Sequence, residues 1–288
     1  MIIDLHMHSY YSPDGRYSIP QLLDMFSEGD IACLTDHETI GGWREFEKEA
    51  INRGIRPVLG VEWFSKECHI LSYFLNGVPA NFCEFMKDRR KTEKSCMRIL
   101  HDQFKKEYPQ LLTYDEVLKL RAHPEKVLGL PALRDAVAKT AEIDRVQAED
   151  MVRIKKRKMP VGVMRPMPFY PEEIIEKIIG WNGLPVLAHP YRNFGGKKGR
   201  QDRRAVEETV RDLHSKGIKG IDIYSWNSDE AELEHLLGLC DELGLVPVIG
   251  SDFHYRNKHN KGLDPKELAN LDEQILKRVE KWVITTSH

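Results

Sequence analysis

Residues 2–15 of the chain read Ile-Ile-Asp-Leu-His-Met-His-Ser-Tyr-Tyr-Ser-Pro-Asp-Gly, and the other motifs of the sequence relate to this stretch. Its apolar start predicts a short buried strand that carries His6 and His8 at a spacing of two. Because side chains alternate between the two faces of a strand, both imidazoles point the same way. Asp14 follows in a Ser-Pro-Asp-Gly turn. Imidazoles and a carboxylate on one face are typical ligands of a divalent metal ion, although a core strand with incidental histidines has the same pattern.

Length, charge and cysteine usage limit the class of protein. A chain of 288 residues is long enough for one α/β barrel, or for one domain with a sizeable insertion. The net charge of −2 indicates no global attraction to nucleic acid or membranes, so any anion site must be local. The five cysteines are scattered, which is typical of reduced thiols. With no apolar run long enough for a bilayer and no signal-peptide pattern, we expect a cytoplasmic protein with no membrane or stable protein partner.

Short apolar runs alternate with amphipathic stretches over most of the chain. This alternation predicts a βα-repeat fold with a parallel sheet. One short strand is predicted at the start of residues 2–15, and others at 31–35, 57–61, 70–74, 185–188, 220–224 and 246–250. Residues 76–164 are charged and helical in pattern, so we expect an inserted helical subdomain there, between barrel portions 1–75 and 165–288. A closing helix is predicted over 265–281.

Histidines and carboxylates recur where predicted strands end. In a (β/α) barrel the carboxyl ends of the strands form the active-site face, so distant residues would meet there. His69 fits this rule less well because it starts its strand. The candidate ligands are His6, His8, Asp14, His37, Glu62, His69, His189, Asp252 and His254. Nine side chains are too many for one ion and could hold two or three divalent ions of zinc, manganese or iron. The absence of cysteine from the set argues against a structural zinc site.

Clustered divalent ions suit the hydrolysis of phosphate esters. One ion lowers the pKa of bound water and supplies hydroxide for attack on phosphorus, and together the ions screen the phosphate oxygens. Asp252 is the best candidate to share a proton with this water. Arg192, three residues after His189, is expected to grip the phosphate. Asp4 is expected to orient a ligating histidine.

Seven motifs carry a resemblance to a known family. They are Asp4-Leu5-His6-Met7-His8, Ser12-Pro13-Asp14-Gly15, Thr35-Asp36-His37, Gly60-Val61-Glu62, His69-Ile70-Leu71, Ala188-His189-Pro190 and Gly250-Ser251-Asp252-Phe253-His254. On these motifs the chain resembles the PHP (polymerase and histidinol phosphatase) family. The resemblance implies a distorted, TIM-like (β/α)7 barrel with a trinuclear metal site, whose nine ligand positions the nine candidates fill.

Within the family, the helical insertion resembles that of a subgroup that removes phosphate from nucleotides. The resemblance therefore implies a metal-dependent phosphoesterase that hydrolyses a phosphate monoester of a small phosphorylated metabolite, such as a nucleotide or short oligonucleotide. The subgroup often has Arg-Pro-His near the substrate phosphate, whereas this chain has Leu130-Pro131-Ala132. Arg134 could compensate as a substrate-binding residue from the next turn. This departure leaves the nucleotide specificity open.

Two alternatives to this function stay open on the sequence. A histidinol-phosphate-type phosphatase would use the same metal site with a different leaving group, and the helical insertion argues mildly against it. A non-catalytic, metal-bound scaffold would be expected to have lost ligands, whereas this chain has the full set.

Overall fold

The computed structural model describes residues 1–120, 128–159, 169–192, 201–225, 228–256 and 262–285. Within these residues, seven strands form one sheet whose order follows the chain. The strands are β1 (Ile3–Met7), β2 (Ile31–Leu34), β3 (Arg56–Phe64), β4 (His69–Tyr73), β5 (Leu184–Leu187), β6 (Gly220–Tyr224) and β7 (Val246–Ile249).

Helices follow most of the strands, and five of them come between β4 and β5. They are α1 (Ile19–Leu23), α2 (Trp43–Asn52), α3 (Ala80–Glu107), α4 (Tyr114–Lys119), α5 (Leu130–Ala141), α6 (Arg145–Lys158), α7 (Pro171–Gly180), α8 (Arg203–Ser215), α9 (Glu230–Leu243) and α10 (Glu273–Thr285). No helix in the described ranges is both long and apolar enough to cross a membrane.

The sheet curls until its first and last strands meet. Strands β1 to β3 run parallel, as do β5 to β7. Beyond the ends of β1 and β7, the His8 amide donates to the Phe253 carbonyl at 2.8 Å and the Asp252 amide donates to the His6 carbonyl at 2.7 Å. These bonds nearly close the sheet into a barrel. The predicted distorted (β/α)7 barrel is confirmed.

Strand β4 departs from the predicted parallel sheet, because it runs antiparallel to both neighbours. The long strand β3 continues through Glu62 to Phe64, and the chain then turns back at once, so that Phe64 pairs with His69. The start of β4 therefore lies at the edge where β3 ends. This explains how His69, at the start of its strand, joins side chains at the ends of the others.

The barrel and the insertion have separate hydrophobic cores, although the start of α3, with Phe82 and Met86, packs into the barrel core. In the barrel, buried side chains such as Phe46 and Trp63 belong to one cluster. A second cluster holds Phe104 of α3 and Leu133 of α5. Separate cores support an inserted subdomain. Its predicted extent, 76–164, stays a prediction, and its second boundary lies outside the described residues.

The predicted closing helix over 265–281 is divided in two. A 3₁₀ helix spans Pro265–Asn270, and α10 begins only at Glu273. The Asp272 side chain accepts a hydrogen bond from the Gln274 amide at 2.8 Å. Aspartate in this position satisfies a free amide at a helix start, so a new helix begins there instead of the first one continuing.

Candidate metal centre

One carboxylate, Glu62, lies among five imidazoles at the end of β3. Its Oε2 atom is 3.1–3.2 Å from one ring nitrogen each of His6, His8 and His37. Its Oε1 atom is 2.8 Å from His69 Nδ1 and 3.0 Å from His189 Nε2. These imidazoles come from four strands and the loops that follow them. The barrel therefore brings residues that are distant in the sequence into contact with Glu62.

Two further carboxylates complete the cluster on its other side. Asp252 Oδ1 lies 3.5 Å from His8 Nε2 and 3.6 Å from His254 Nδ1. Asp14 Oδ2 lies 3.2 Å from His254 Nε2 and 3.7 Å from His37 Nε2. The structure thus brings together all nine side chains that the sequence singles out as candidate ligands.

Potential ligand atoms of the cluster fall into three overlapping groups, each with its atoms within 4.8 Å of one another. The groups are His8, His37 and His254; His6, His8, Glu62 and Asp252; and Glu62, His69 and His189. His8 and Glu62 each belong to two groups. Asp14, which contacts His254, lies beside the first group.

Several polar atoms of the cluster are buried without a hydrogen-bond partner among the described residues. They include both ring nitrogens of His8, Nε2 of His6, Nδ1 of His37 and Oε2 of Glu62. Buried polar atoms are normally satisfied, so such a concentration calls for a missing partner. Lone pairs of imidazole and carboxylate that face one another at just over 3 Å fit the coordination of shared divalent cations.

The electrostatics of the cluster favour positive charge inside it. Burial acts to lower the pKa of His8, but the nearby carboxylates of Asp252 and Glu62 outweigh it and raise the pKa to about 9. Burial lowers the pKa of His37 to about 4, and its ring stacks on that of His8 with centroids 4.5 Å apart. The carboxylates thus attract positive charge, yet neighbouring imidazoles cannot all be protonated. Bound metal cations would supply that charge.

Strained backbone and a close approach of strands support the cluster. His189 and Asp252 adopt positive φ angles of 29° and 49°. This conformation is unfavourable for residues other than glycine and is concentrated at functional sites. At Gly250 a Cβ atom would lie 2.2 Å from the Cβ of His6. Glycine is therefore required where the end of β7 approaches β1.

A buried carboxylate that the sequence reasoning missed, Asp222, supports two of the candidate ligands. Its Oδ2 atom lies 3.2 Å from His6 Nδ1 and accepts a hydrogen bond from the His189 amide at 3.4 Å. When His6 Nδ1 carries the proton, Nε2 is free to face Glu62 as a metal ligand. Asp222 lies inside β6 instead of at its end. The signal that could have revealed it is a charged residue within the apolar run Gly-Ile-Asp-Ile-Tyr.

Two other buried aspartates accept hydrogen bonds from backbone amides and serine hydroxyls instead of contacting an imidazole. Asp4 was expected to orient a ligating histidine, but its carboxylate accepts from the backbone amide of His6 and from the amide and hydroxyl of Ser251. Asp36 accepts from the amide and hydroxyl of Ser9 at 2.6 and 2.7 Å. Burial raises the pKa of both carboxyls to about 6. They fix the loops that carry the ligands.

A pocket opens beside the metal centre, between the barrel and the insertion. Asp14 and His37 line it from the barrel, and Arg134 lines it from α5. The guanidinium of Arg134 already binds two carboxylates, Asp135 at 2.8 Å and Glu149 at 3.1 Å. Its role in substrate binding stays a prediction, which these ion pairs weaken.

The other predicted phosphate ligand, Arg192, follows His189 in the chain. Its backbone amide donates to the His189 carbonyl at 2.9 Å, which ties it to the loop of that candidate ligand. Arg192 is not among the described residues that line the pocket. Its role, like the proton-sharing role of Asp252, stays a prediction.

Comparison with known proteins agrees with this geometry. A family model described as the PHP domain matches residues 4–157, more than half of the chain. The chain belongs to the PHP domain family. Membership confirms the family and the enzyme class predicted from the sequence, a metal-dependent phosphoesterase.

Two relatives of described function align with nearly the whole PHP chain. A 3',5'-nucleoside bisphosphate phosphatase from Chromobacterium violaceum is 26% identical over 266 residues, which are 88% of this chain and 87% of the relative. A 5'-3' exoribonuclease from Haemophilus influenzae is 26% identical over 267 residues, or 88% and 89% of the two chains.

Two solved structures share the fold of this PHP chain. A protein from Bifidobacterium adolescentis, named for the metal-dependent phosphoesterases, gives a TM-score of 0.62 at 20% identity and covers 96% of both chains. A C. violaceum protein named as an amidohydrolase, with bound sulfate, gives 0.63 at 22% identity and covers 94% of this chain and 96% of its own. At this identity the likeness shows the fold alone.

Proposed function

We propose that this chain hydrolyses a phosphate monoester of a nucleotide or short oligonucleotide, with two or three divalent ions of zinc, manganese or iron at the nine-residue cluster. The observation that carries the proposal is the environment of Glu62, whose two oxygens contact five imidazoles. The names of the two relatives of described function support a nucleotide or oligonucleotide as substrate.

The nine side chains would hold the metal ions in the three groups already described. When bound, divalent ions at such a site lower the pKa of water and screen the charge of a phosphate. The chain contributes fixed positions for these ligands, since Glu62 and all the imidazoles except that of His69 are buried. Fixed ligands need little reorganisation during the reaction.

Two other side chains have proposed roles in the reaction. Asp252 Oδ1 takes the proton of the attacking water, because this carboxylate reaches the cluster and its side chain remains 11% exposed. Arg192 holds the phosphate, because its backbone is fixed to the loop of His189 and a guanidinium can bind phosphate through two parallel hydrogen bonds.

The test is a substrate screen on protein loaded with manganese. Nucleoside monophosphates, nucleoside bisphosphates, short RNA and histidinol phosphate are compared by phosphate release or product analysis. We expect turnover of at least one nucleotide or RNA substrate. Turnover of histidinol phosphate alone would overturn the proposed substrate class.

A substitution at the cluster tests whether these residues carry the activity. His37→Ala should abolish turnover and lower the metal content while the circular dichroism spectrum stays unchanged. The matched control is His214→Ala, which removes an exposed histidine of α8. Full activity of His37→Ala would contradict the assignment of this histidine to the metal centre.

A further inference from the structure

The pocket between the metal centre and the insertion has a volume of about 220 Å³. Asp14 and His37 belong both to the pocket lining and to the metal cluster, so the two spaces are continuous. An apolar cavity of roughly 150 Å³ holds a benzene ring. The pocket therefore has room for a planar ring system attached to a phosphate at the metal centre.

One wall of this pocket carries an exposed aromatic ring. Phe64, the last residue of β3, is 39% exposed. One face of its ring stacks on His37, with centroids 4.2 Å apart and an angle of 24° between the rings. Its position next to His37 keeps it within reach of a leaving group whose phosphate lies at the metal centre.

The insertion supplies further apolar lining to the same pocket. Leu128, Leu130, Pro131 and Val152 all contribute to it. Leu130 and Pro131 are the first two residues of α5. An exposed aromatic ring and aliphatic side chains around one cavity are typical of a site for an apolar or aromatic group.

Four of the five cationic side chains of this pocket are paired with carboxylates of its lining. Its lining contains five lysine and arginine side chains and four aspartate and glutamate side chains. The ion pairs are Arg89 with Glu38 at 2.5 Å, Lys156 with Glu93 at 3.0 Å, and Arg134 and Arg153 with Glu149 at 3.1 and 2.6 Å.

A second phosphate in this pocket would compete with carboxylates for the paired cations. It would have to displace a carboxylate from its arginine or lysine, and the displaced carboxylates would repel it at short range. An uncharged ring meets no such opposition. The charge distribution therefore favours a leaving group that carries no phosphate of its own.

We infer that the substrate is a nucleoside monophosphate, with its base stacked on Phe64 and its single phosphate at the metal centre. This inference rests on the proposed function and narrows its substrate class. It separates this chain from the C. violaceum relative, whose name specifies a nucleoside bisphosphate. Phe64 and Leu130 are the residues that determine this specificity.

The first experiment compares kcat/KM for adenosine 5'-monophosphate, adenosine 3',5'-bisphosphate and ribose 5-phosphate on manganese-loaded protein. Because the stacking of a base on an aromatic ring is worth about tenfold to a hundredfold in affinity, the monophosphate should exceed ribose 5-phosphate by that factor. It should also equal or exceed the bisphosphate. A tenfold preference for the bisphosphate, or equal rates for adenosine monophosphate and ribose 5-phosphate, would overturn the inference but not the proposed function.

Substitutions test the two specificity residues through ratios of kcat/KM. Phe64→Ala should lower the ratio of adenosine monophosphate to ribose 5-phosphate about tenfold to a hundredfold, and Phe64→Tyr should retain it. Leu130→Arg should shift the preference toward the bisphosphate. The control is Leu112→Ala, an exposed leucine outside the pocket, which should leave both ratios unchanged. An unchanged ratio in Phe64→Ala would exclude stacking on this ring.

Binding of adenosine to metal-free protein provides a readout that does not depend on turnover. Calorimetry should detect binding to the wild type, and Phe64→Ala should weaken it by the same factor. If no phosphate ester is turned over, the proposed function fails. If esters are turned over but adenosine does not bind, only this inference fails.

Discussion

The metal centre takes its side chains from strand ends in both halves of the chain, whereas the neighbouring pocket takes most of its lining from helices α3, α5 and α6. In the centre, buried histidines outnumber carboxylates and several of their ring nitrogens have no hydrogen-bond partner among the described residues. In the pocket, four of the five lysine and arginine side chains already pair with carboxylates. The centre is therefore arranged to receive cations, and the pocket is arranged to receive a group with little charge.

The strongest test of the centre is Glu62→Gln. Removing the charge that faces five imidazoles should lower kcat/KM by at least about a hundredfold, since even partners outside the ligand shell contribute up to that factor. Metal content, measured by mass spectrometry, should fall as well. Glu47→Gln changes an exposed glutamate of α2 and should alter neither quantity. A Glu62→Gln protein with full metal content would contradict the central place of this residue.

The separate cores allow the two regions to be destabilised one at a time. Phe104→Ala in the insertion and Phe46→Ala in the barrel both empty a fully buried site, and each should cost about 3–5 kcal/mol in the free energy of unfolding. Urea unfolding followed by circular dichroism measures this loss. Only Phe46→Ala should also lower metal retention. Equal metal loss in both variants would show that the regions unfold as one unit.

Because Asp222 contacts His6 of the metal centre, its substitution should have an intermediate effect on metal binding. Asp222→Asn should weaken manganese binding roughly tenfold to a hundredfold, because the amide no longer fixes the ring of His6 by charge. Calorimetric titration with manganese measures the change. Asp30→Asn is the matched control, since Asp30 is also buried but accepts hydrogen bonds from the amides of Ile2 and Ser27. Equal losses in both variants would point to a general effect of a buried charge.

The smallest effect on stability is expected at an ion pair that links the insertion to the barrel. Arg89 of α3 pairs with Glu38, which follows His37 in the chain, and both side chains are largely buried. Arg89→Ala should lower the free energy of unfolding by about 1–3 kcal/mol, because Glu38 loses its partner. Thermal unfolding gives the measurement. Arg53→Ala removes ion pairs to Asp24 and Glu49 nearer the surface and should cost less than about 1 kcal/mol. Equal losses of unfolding free energy would show that the Arg89–Glu38 ion pair stabilises the fold no more than a surface ion pair does.

Much of the metal centre could be predicted because its chemistry restricts both residue type and position. Imidazoles and carboxylates at strand ends stand out in apolar surroundings, and a barrel gathers those ends at one edge. His69 was harder to explain, since only the antiparallel course of β4 brings a strand start to that edge. Asp222 was missed because it lies within a strand. A spacing rule based on strand ends does not reach such a residue.

The pocket could not be predicted in the same way, because its character depends on pairing between distant helices. Lys156 of α6 binds Glu93 of α3, and Arg134 of α5 binds Glu149 of α6. In the sequence these residues lie in charged helical stretches, which do not indicate which basic residue pairs with which acidic one. Arg134 was predicted to bind substrate from its position alone. The ion pairs that occupy its guanidinium exist only in the packed structure.

The sequence by itself determined a βα-repeat fold and the nine candidate ligands, because apolar periodicity and ligand chemistry are local properties that need no coordinates. Its motifs also carried the resemblance that implied the (β/α)7 barrel and the enzyme family. The tertiary structure alone decided the antiparallel turn that carries His69, the support of His6 by Asp222 and the charge balance of the pocket. Each of these depends on which distant groups approach within hydrogen-bonding distance. That approach is fixed by packing of the whole chain, which no short stretch of residues encodes.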